Sequence, residues 1–269
     1  MNFSKYRVKP GSKVSLKDWD PSDKSAVPAD KAMRVKQLEE ISEEINKLQD
    51  VLYASQDEGV LIVLQGMDTS GKDGTIRHVF KAVDPLGVRA VAFKAPTPQE
   101  LAHDFLWRVH AQTPGKGEMV IFNRSHYEDV LVVPVHGWIT PAECKRRYER
   151  INEFERLLSD GRTLVLKFFL YISKDEQKRR LQERIDEPEK RWKFRLDDLA
   201  ERKLWKEYVK AYEGALEATS TDYASWYVIP SDSKTTRNLI ISQILVEQLK
   251  ALKLSYPKPK EKIEGIVVE

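Results

Sequence analysis

The chain alternates between short runs of consecutive apolar residues and longer segments in which apolar positions recur at helical spacing. Five of the apolar runs have the length of a β-strand, and they cover residues 59–64, 88–93, 118–122, 163–171 and 225–229. A continuous run of Val, Ile and Leu predicts a strand that is buried on both faces. The five runs therefore indicate a parallel β-sheet.

Helical segments are predicted before, between and after these strands. The first covers residues 31–57, where apolar side chains recur at helical spacing from Met33 to Leu52. The others are expected near residues 72–83, 98–112, 140–159, 174–184, 196–219 and 233–253. This alternation of strands and helices predicts a three-layer α/β fold, with helices on both faces of a five-stranded parallel sheet.

The two ends of the chain differ from this middle part. Residues 1–30 contain three prolines and many Lys, Asp and Ser, which predicts an extended arm anchored by Leu16 and Trp19. We therefore divide the chain into an arm with its helix packed on the core, a main domain and a tail, which cover residues 1–57, 58–255 and 256–269. The helix at 31–57 packs on its own sheet or on a second subunit, and we expect a homo-oligomer.

Composition and charge exclude several classes of protein. The chain has 269 residues, 41% of them hydrophobic, which suffices for one sizeable α/β core. With 45 basic and 42 acidic residues the net charge is only +3, so any anion site must come from local clustering of charge. Cys144 is the single cysteine, and no apolar run is long enough to span a membrane. We expect a soluble, cytoplasmic protein with neither nucleic-acid nor membrane partners.

The clearest chemical motif directly follows the first strand. Residues 66–75 read GMDTSGKDGT and contain the pattern GxxxxGK between a strand and a helix, as in a P-loop. Glycines let the backbone N–H groups approach phosphate oxygens, the helix N-terminus adds the positive end of its dipole, and Lys72 adds a mobile charge. The predicted phosphate-binding residues of this loop, besides Lys72, are Gly66, Met67, Thr69, Ser70, Gly71, Asp73, Gly74 and Thr75.

Two acids make this loop unusual. Asp73 follows the lysine at the position where the P-loop pattern has a Ser or Thr that binds Mg²⁺. Either the metal is held differently, or the register of the loop is altered. Asp68 lies inside the loop, where phosphates would repel it unless it binds a cation or accepts a proton. Asp68 is therefore a candidate metal ligand or base.

A second candidate segment follows the third strand. Asn123 stands where P-loop proteins usually carry an acid that organises Mg²⁺. The neighbouring Arg124 can hold a phosphate through two hydrogen bonds. Glu128 and Asp129 follow about one helical turn later, and we favour Asp129 as the replacement carboxylate. The alternative for both acids is the preference of carboxylates for the first turn of a helix.

The third candidate segment, at about residues 174–195, carries nine basic and six acidic residues. Within it, Arg180 and Arg184 are four positions apart and share one helix face. Nucleoside monophosphate kinases have a mobile lid after the fourth strand, with arginines that stabilise charge on the transferring phosphoryl group. We predict such a lid here, with Arg180 binding phosphate. The alternative is an ordinary solvated helix.

These segments together resemble polyphosphate kinase family 2. The resemblance lies in GMDTSGKDGT, FNRSHYEDVLV and SKDEQKRRLQERIDEPEKRWKF, and also in FKAPTPQE after the second strand and ASWYVIPSD at the fifth. It extends from about residue 16 to about residue 253. It implies a thymidylate-kinase-like P-loop fold with a helical lid, the use of Mg²⁺ or Mn²⁺, and phosphoryl transfer between inorganic polyphosphate and a nucleotide.

The resemblance also implies roles for individual residues. Those that match the family's catalytic positions are Asp68, Lys72, Arg124 and Arg184. Many members have an Asp at the position of Asn123, and this chain is similar to the subgroup in which the acid is displaced, here to Asp129. Members of that subgroup phosphorylate both AMP and ADP, which implies adenine nucleotides as partners.

Two other functions remain open on the residues alone. An ATP-dependent nucleoside monophosphate kinase would use the same fold, with a second nucleoside pocket where polyphosphate would otherwise lie. A nucleotide-switched regulatory or nucleic-acid-binding protein would need a partner surface or a basic stripe with interleaved aromatic residues. The basic residues at 174–195 are mixed with acids, which makes this last alternative the least favoured.

Overall fold

The computed structural model describes residues 3–263 and 266–268, so the first two residues of the predicted arm and residues 264, 265 and 269 of the predicted tail lie outside the described part. Five strands form one sheet, namely β1 (Gly59–Gln65), β2 (Val88–Ala92), β3 (Met119–Asn123), β4 (Thr163–Tyr171) and β5 (Trp226–Pro230). They lie in the order β2-β3-β1-β4-β5, and every neighbouring pair is parallel. The predicted five-stranded parallel sheet is confirmed.

The described residues form ten α-helices around this sheet. They are α1 (Lys31–Ser55), α2 (Lys72–Val79), α3 (Pro98–Leu101), α4 (Trp107–His110), α5 (Glu128–Val135), α6 (Pro141–Asp160), α7 (Lys174–Asp186), α8 (Asp197–Lys203), α9 (Trp205–Thr219) and α10 (Lys234–Ala251). Short 3-10 helices cover Ser4–Tyr6, Leu16–Asp18, Pro85–Gly87 and Pro188–Lys193. None of the helices in the described part is both long and apolar enough to cross a membrane.

Two predicted helices are each divided in two. The segment predicted as 98–112 forms α3 and α4, because the Asp104 side chain accepts a hydrogen bond from the backbone N–H of Leu106 and starts a new turn there. The segment predicted as 196–219 is interrupted at Leu204, whose backbone leaves the helical conformation between α8 and α9.

The sheet separates two apolar layers. Alternate side chains of a strand point to opposite faces, so Val60 and Ile62 of β1 face one layer, and Leu61 and Val63 face the other. The first layer is formed with α1, α2 and α10, and the second with α5, α6 and α9. This is the predicted three-layer α/β arrangement, and the P-loop follows the central strand between the two helical layers.

The N-terminal segment runs along the exposed edge of the sheet at β5. Arg7 forms an antiparallel bridge with Tyr227, and the N–H of Val8 donates to the carbonyl of Trp226 at 2.9 Å. Leu16 is buried farther along the same segment. The helix α1 packs on α10 of the same chain. The division of the chain into arm, main domain and tail stays a prediction.

Candidate active site

The P-loop connects the carboxyl end of β1 to the first residue of α2. At Gly71, with φ of 103°, a Cβ atom would lie 1.8 Å from Nη1 of Arg237, so only glycine fits. At Gly66 a Cβ atom would lie 2.6 Å from Oγ of Ser70. The loop is therefore packed tightly against neighbouring side chains, and the first turn of α2, which begins at Lys72, has backbone N–H groups without helical acceptors.

Lys72 is buried at the centre of this loop. Its Nζ donates to the carbonyl of Gly66 at 2.6 Å. Burial, together with the charge of Arg124, lowers the pKa of Lys72 to about 8, although Asp68 and Glu128 oppose this shift. The Met67 carbonyl lies farther away, at 3.4 Å. A lysine that is bound only to loop carbonyls can exchange them for a phosphate oxygen without breaking an ion pair.

Arg124 connects the P-loop with the start of α5. Its guanidinium lies 3.1 Å from the carboxylate of Asp68 and 3.5 Å from that of Glu128. These two carboxylates raise the pKa of Arg124, against the effect of burial. Arg124 has a φ of 62°, a backbone conformation that residues other than glycine rarely adopt. The structure thus brings together Asp68, Lys72 and Arg124, three of the four residues predicted to be catalytic.

Asp73 and Asn123, which both depart from the usual P-loop sequence, are in direct contact. Oδ1 of Asp73 accepts a hydrogen bond from Nδ2 of Asn123 at 2.6 Å. An amide at position 123 can donate to Asp73, whereas a second carboxylate there would repel it unless a cation lay between them. The neutral Asn123 at the end of β3 is therefore compatible with the carboxylate of Asp73.

Asp129 lies away from these groups. The first turn of α5 contains both Glu128 and Asp129, but only Glu128 is among the described residues that line the cleft. Oδ1 of Asp129 lies 3.1 Å from Nη1 of Arg147 on α6, and burial raises the pKa of Asp129 to about 6. Successive helical residues point about 100° apart, so the sequence spacing could not decide which acid faces the cleft. The geometry favours Glu128 over the predicted Asp129.

Arg184, the fourth predicted catalytic residue, lines the cleft from α7. Its Nη1 lies 3.2 Å from Oδ2 of Asp198 on α8 and 3.2 Å from the carbonyl of Lys193. An anionic substrate that bound to Arg184 would therefore take the place of the Asp198 carboxylate. The segment from α7 to α8, with the 3-10 helix Pro188–Lys193 between them, forms one wall of the cleft.

Arg180 is placed differently from the prediction that it binds phosphate. Its side chain is buried in the wall of the cleft and contacts the P-loop backbone. Its N–H groups donate to protein acceptors 2.7 to 3.3 Å away, namely the Glu176 carboxylate and the carbonyls of Thr69, Ser70, Ser231 and Asp232. Because a guanidinium has five N–H groups, all of them are occupied by the protein. This geometry is that of a structural brace.

A buried polar network that the sequence did not reveal lies behind Arg124. Lys167 of β4 is fully buried, and its Nζ donates to Glu155 at 2.5 Å, to the Tyr127 hydroxyl at 2.8 Å and to the carbonyl of Thr219 at 2.7 Å. His126 contacts the same Glu155 carboxylate at 3.3 Å. The network ties the turn after Arg124 to β4, α6 and the end of α9. The only sequence signal for it was a lysine within an apolar strand.

The cleft around the P-loop has a volume of about 1160 Å³ and two unlike halves. One half is lined from the layer of α1, α2 and α10, and its side chains include the acid Glu39 and several basic residues, namely Lys31, His78, Lys81 just after α2, and Lys234. The other half is lined from the opposite layer by aromatic side chains, namely Phe93, Trp205, Tyr208 and Tyr212. The P-loop lies between the two halves.

The residues of the P-loop fit a divalent metal ion that is held together with phosphate. Within the described residues no group of three or more His, Cys, Asp or Glu side chains could hold a metal ion without other ligands. Mg²⁺, however, usually takes one or two carboxylates and completes its shell with phosphate and water. Asp68 and Glu128 supply carboxylates, and the hydroxyls of Thr69 and Ser70 are buried without a hydrogen-bond partner.

Comparison with known proteins identifies the family. The family model described as polyphosphate kinase 2 matches residues 28–257. The chain is 55% identical to the AMP/ADP-polyphosphate phosphotransferase of Meiothermus ruber over 99% of this chain and 100% of that protein. It is 42% identical to the ADP-polyphosphate phosphotransferase of Rhodopseudomonas palustris over 94% of this chain and 91% of that protein.

Solved structures agree with the sequence comparison. The crystal structure of polyphosphate kinase 2 from Arthrobacter aurescens TC1 superimposes with a TM-score of 0.93 at 43% sequence identity. The match covers 96% of this chain and 92% of that one. The predicted P-loop α/β fold and the predicted family are both confirmed, and the chain belongs to the polyphosphate kinase 2 family.

Proposed function

We propose that this protein transfers phosphoryl groups from inorganic polyphosphate to AMP and ADP, forming ADP and ATP, reversibly and by direct in-line transfer. The observation that carries the proposal is the position of Lys72 between a basic and an aromatic half of one cleft. The name of the Meiothermus ruber relative, an AMP/ADP-polyphosphate phosphotransferase, supports both acceptors.

The basic half of the cleft suits a polyphosphate donor. Lys31, Lys81 and Lys234 are exposed there, and within the described residues none of them has a carboxylate within 4.0 Å. Ammonium groups that are not held in close ion pairs can bind the regularly spaced charges of a phosphate chain. Among the described residues that line this half from α1, α2 and α10, none is Phe, Tyr or Trp. This half therefore offers no aromatic face on which the base of an ATP donor could stack.

The aromatic half suits the acceptor nucleotide. Trp205, Tyr208 and Tyr212 follow each other at helical spacing along α9, and Phe93, which follows β2, lines the same cleft. Aromatic faces bind nucleobases by stacking. We assign the base to this half, with the accepting phosphate directed towards Arg124.

The main barrier to the reaction is the repulsion between two anionic chains that meet end to end. The charges of Lys72, Arg124 and Arg184 and the N–H groups of the P-loop offset it and stabilise charge on the transferring phosphoryl group. Asp68 positions the accepting oxygen or holds a metal ion together with Glu128. When bound, Mg²⁺ or Mn²⁺ would neutralise charge between donor and acceptor. Closure of the lid over the cleft would exclude water and limit hydrolysis.

We also propose that the protein is cytoplasmic and assembles as a homo-oligomer. The single cysteine, Cys144, is buried and free, which agrees with a reducing compartment. Large apolar side chains such as Trp138 and Leu157 are exposed and offer surface for a second copy. Light scattering coupled to size-exclusion chromatography measures the assembly state directly.

Salt provides a test of the two-sided cleft. Raising the ionic strength from about 0.05 M to about 0.5 M is expected to raise the KM for long-chain polyphosphate far more than the KM for AMP, because salt screens many donor contacts at once. Lys81→Ala should reduce this difference. Lys36→Ala is the matched control, because Lys36 is an exposed lysine of α1 that pairs with Glu40. It should leave the difference between the two KM responses unchanged. Equal salt responses for the two substrates would argue against a basic donor track.

The metal ligands can be tested by a pair of neighbouring substitutions. Glu128→Gln is expected to lower the transfer rate about 10- to 100-fold at low Mg²⁺, with partial recovery as Mg²⁺ or Mn²⁺ is raised. Asp129→Asn should leave the metal dependence unchanged, because Asp129 contacts Arg147 of α6 and does not line the cleft. The measurement is activity titrated against Mg²⁺. A shift of the curve by Asp129→Asn alone would restore Asp129 as the ligand.

A further inference from the structure

Arg237 is a buried arginine next to the P-loop that sequence analysis did not single out. It belongs to the second turn of α10, and only 1% of its surface is exposed. Its Nη1 donates to the carbonyl of Ser70 at 2.9 Å, and a Cβ atom at Gly71 would lie 1.8 Å from the same nitrogen. The guanidinium therefore lies directly against the backbone that leads into α2.

The charge of Arg237 has no counterion within the described residues. Besides the Ser70 carbonyl, its acceptor is the neutral side chain of Asn238, which receives Nε at 3.0 Å and Nη2 at 2.8 Å. Three of the five N–H groups of the guanidinium are thus engaged. Burial and the neighbouring charge of Arg180 lower the pKa of Arg237 to about 9. Arg180 differs, because all its N–H groups have protein acceptors and Glu176 is its ion-pair partner.

A purely structural brace does not require this charge. Holding the Ser70 carbonyl takes one N–H donor, whereas a buried cation without an anionic partner opposes folding. The missing anion is expected beside the P-loop, because Arg237 and Asn238 both line the cleft. They do so from the layer of α1, α2 and α10, which is the half that carries Lys31 and Lys234.

We propose that Arg237 is a binding residue for a phosphate oxyanion of the polyphosphate donor, at the place where the chain enters the P-loop. This proposal rests on the function proposed above. The two N–H groups without protein acceptors and the uncompensated charge are the features that a phosphate group would satisfy. Donor binding then supplies the counterion that the folded protein lacks.

The test is the affinity for tripolyphosphate and, separately, for AMP, measured by titration calorimetry on the full chain. Arg237→Gln keeps an N–H donor for the Ser70 carbonyl and removes the charge. It is expected to raise the Kd for tripolyphosphate about 10- to 100-fold, the effect of losing a charged hydrogen bond. The Kd for AMP should change by less than about twofold, a difference at the level of ordinary surface substitutions.

Arg34→Gln is the matched control. Arg34 is also buried and donates to backbone carbonyls, those of Pro28 and Ala29, but it does not line the cleft. This variant should lose thermal stability and keep the parent's affinity for tripolyphosphate. An equal loss of affinity in both variants would reduce Arg237 to a structural role and overturn the proposal.

Further outcomes are also decisive. If Arg237→Gln folds and binds tripolyphosphate like the parent, the proposal is wrong, whereas the proposed function stands. If Arg237→Gln does not fold, Arg237→Lys takes its place in the test. The Kd of this variant for tripolyphosphate is expected to rise about 3- to 10-fold, because a point charge replaces the planar guanidinium. Binding like that of the parent would again overturn the proposal. A parent protein that binds no tripolyphosphate would contradict the proposed function itself.

Discussion

Lys72→Ala is expected to lower kcat with polyphosphate and AMP by on the order of 1000-fold while the protein stays folded. Nζ of Lys72 donates to two carbonyls of the loop, those of Gly66 and Met67. It can therefore follow the transferring phosphoryl group, and its loss removes charge that stabilises the transition state. The measurement is kcat at saturating substrates, with circular dichroism to confirm folding.

A control variant and the pH dependence of the activity complete the test of Lys72. Lys36→Ala removes an exposed lysine outside the cleft and should leave kcat unchanged. Because the pKa of Lys72 is lowered to about 8, its positive charge is lost in the free protein as the pH rises through that value. The quantity kcat/KM reports the free enzyme, so it should fall above about pH 8. A folded Lys72→Ala variant with kcat close to that of the parent would reject the assignment of the P-loop as the transfer site.

Arg184→Ala is expected to lower kcat about 100-fold, with a change of less than about threefold in the KM for AMP. In the structure, Arg184 of α7 is paired with Asp198 of α8 at 3.2 Å. It becomes available to the reacting phosphoryl group only when that carboxylate is displaced. The arginine should therefore act on the closed, reacting state more than on nucleotide binding. Steady-state kinetics with AMP varied at saturating polyphosphate separates kcat from KM.

Arg179→Ala is the control for Arg184. Arg179 lies on the same helix and pairs with Glu176 and Glu183, and it does not line the cleft. Its removal should change kcat by less than about twofold, as for other exposed ion pairs. If both variants retain the parent's kcat, the segment is an ordinary solvated helix and not a catalytic lid.

The sheet and the P-loop were predictable because both depend on local sequence. A buried parallel strand is a continuous apolar run, and the bounds of β4 were predicted to the residue. The P-loop is a contiguous pattern between a strand and a helix, so Lys72 could be placed without knowledge of the fold. The helix α5 was not among the predicted helices, because its apolar run VLVVPV lacks helical periodicity.

The roles of several charged side chains were not predictable, because they depend on partners far away in the chain. Arg180 and Arg184 share one helix face in sequence, but the first meets carbonyls of the P-loop and the second meets Asp198. Arg237 lies 167 positions from Ser70 and gave no local signal. The choice between two neighbouring acids on α5 likewise depends on which one meets an arginine of α6.

The most direct test of the central claim follows phosphorus in a reaction that contains only the protein, polyphosphate, AMP and Mg²⁺. Phosphorus NMR distinguishes inner phosphates of the chain, nucleotide phosphates and free orthophosphate. We predict that ADP and then ATP appear, with one chain phosphate lost for each ADP and two for each ATP formed from AMP, and with little orthophosphate. The proposed polyphosphate-dependent transfer would be contradicted if AMP stayed unphosphorylated until ATP was added as the donor.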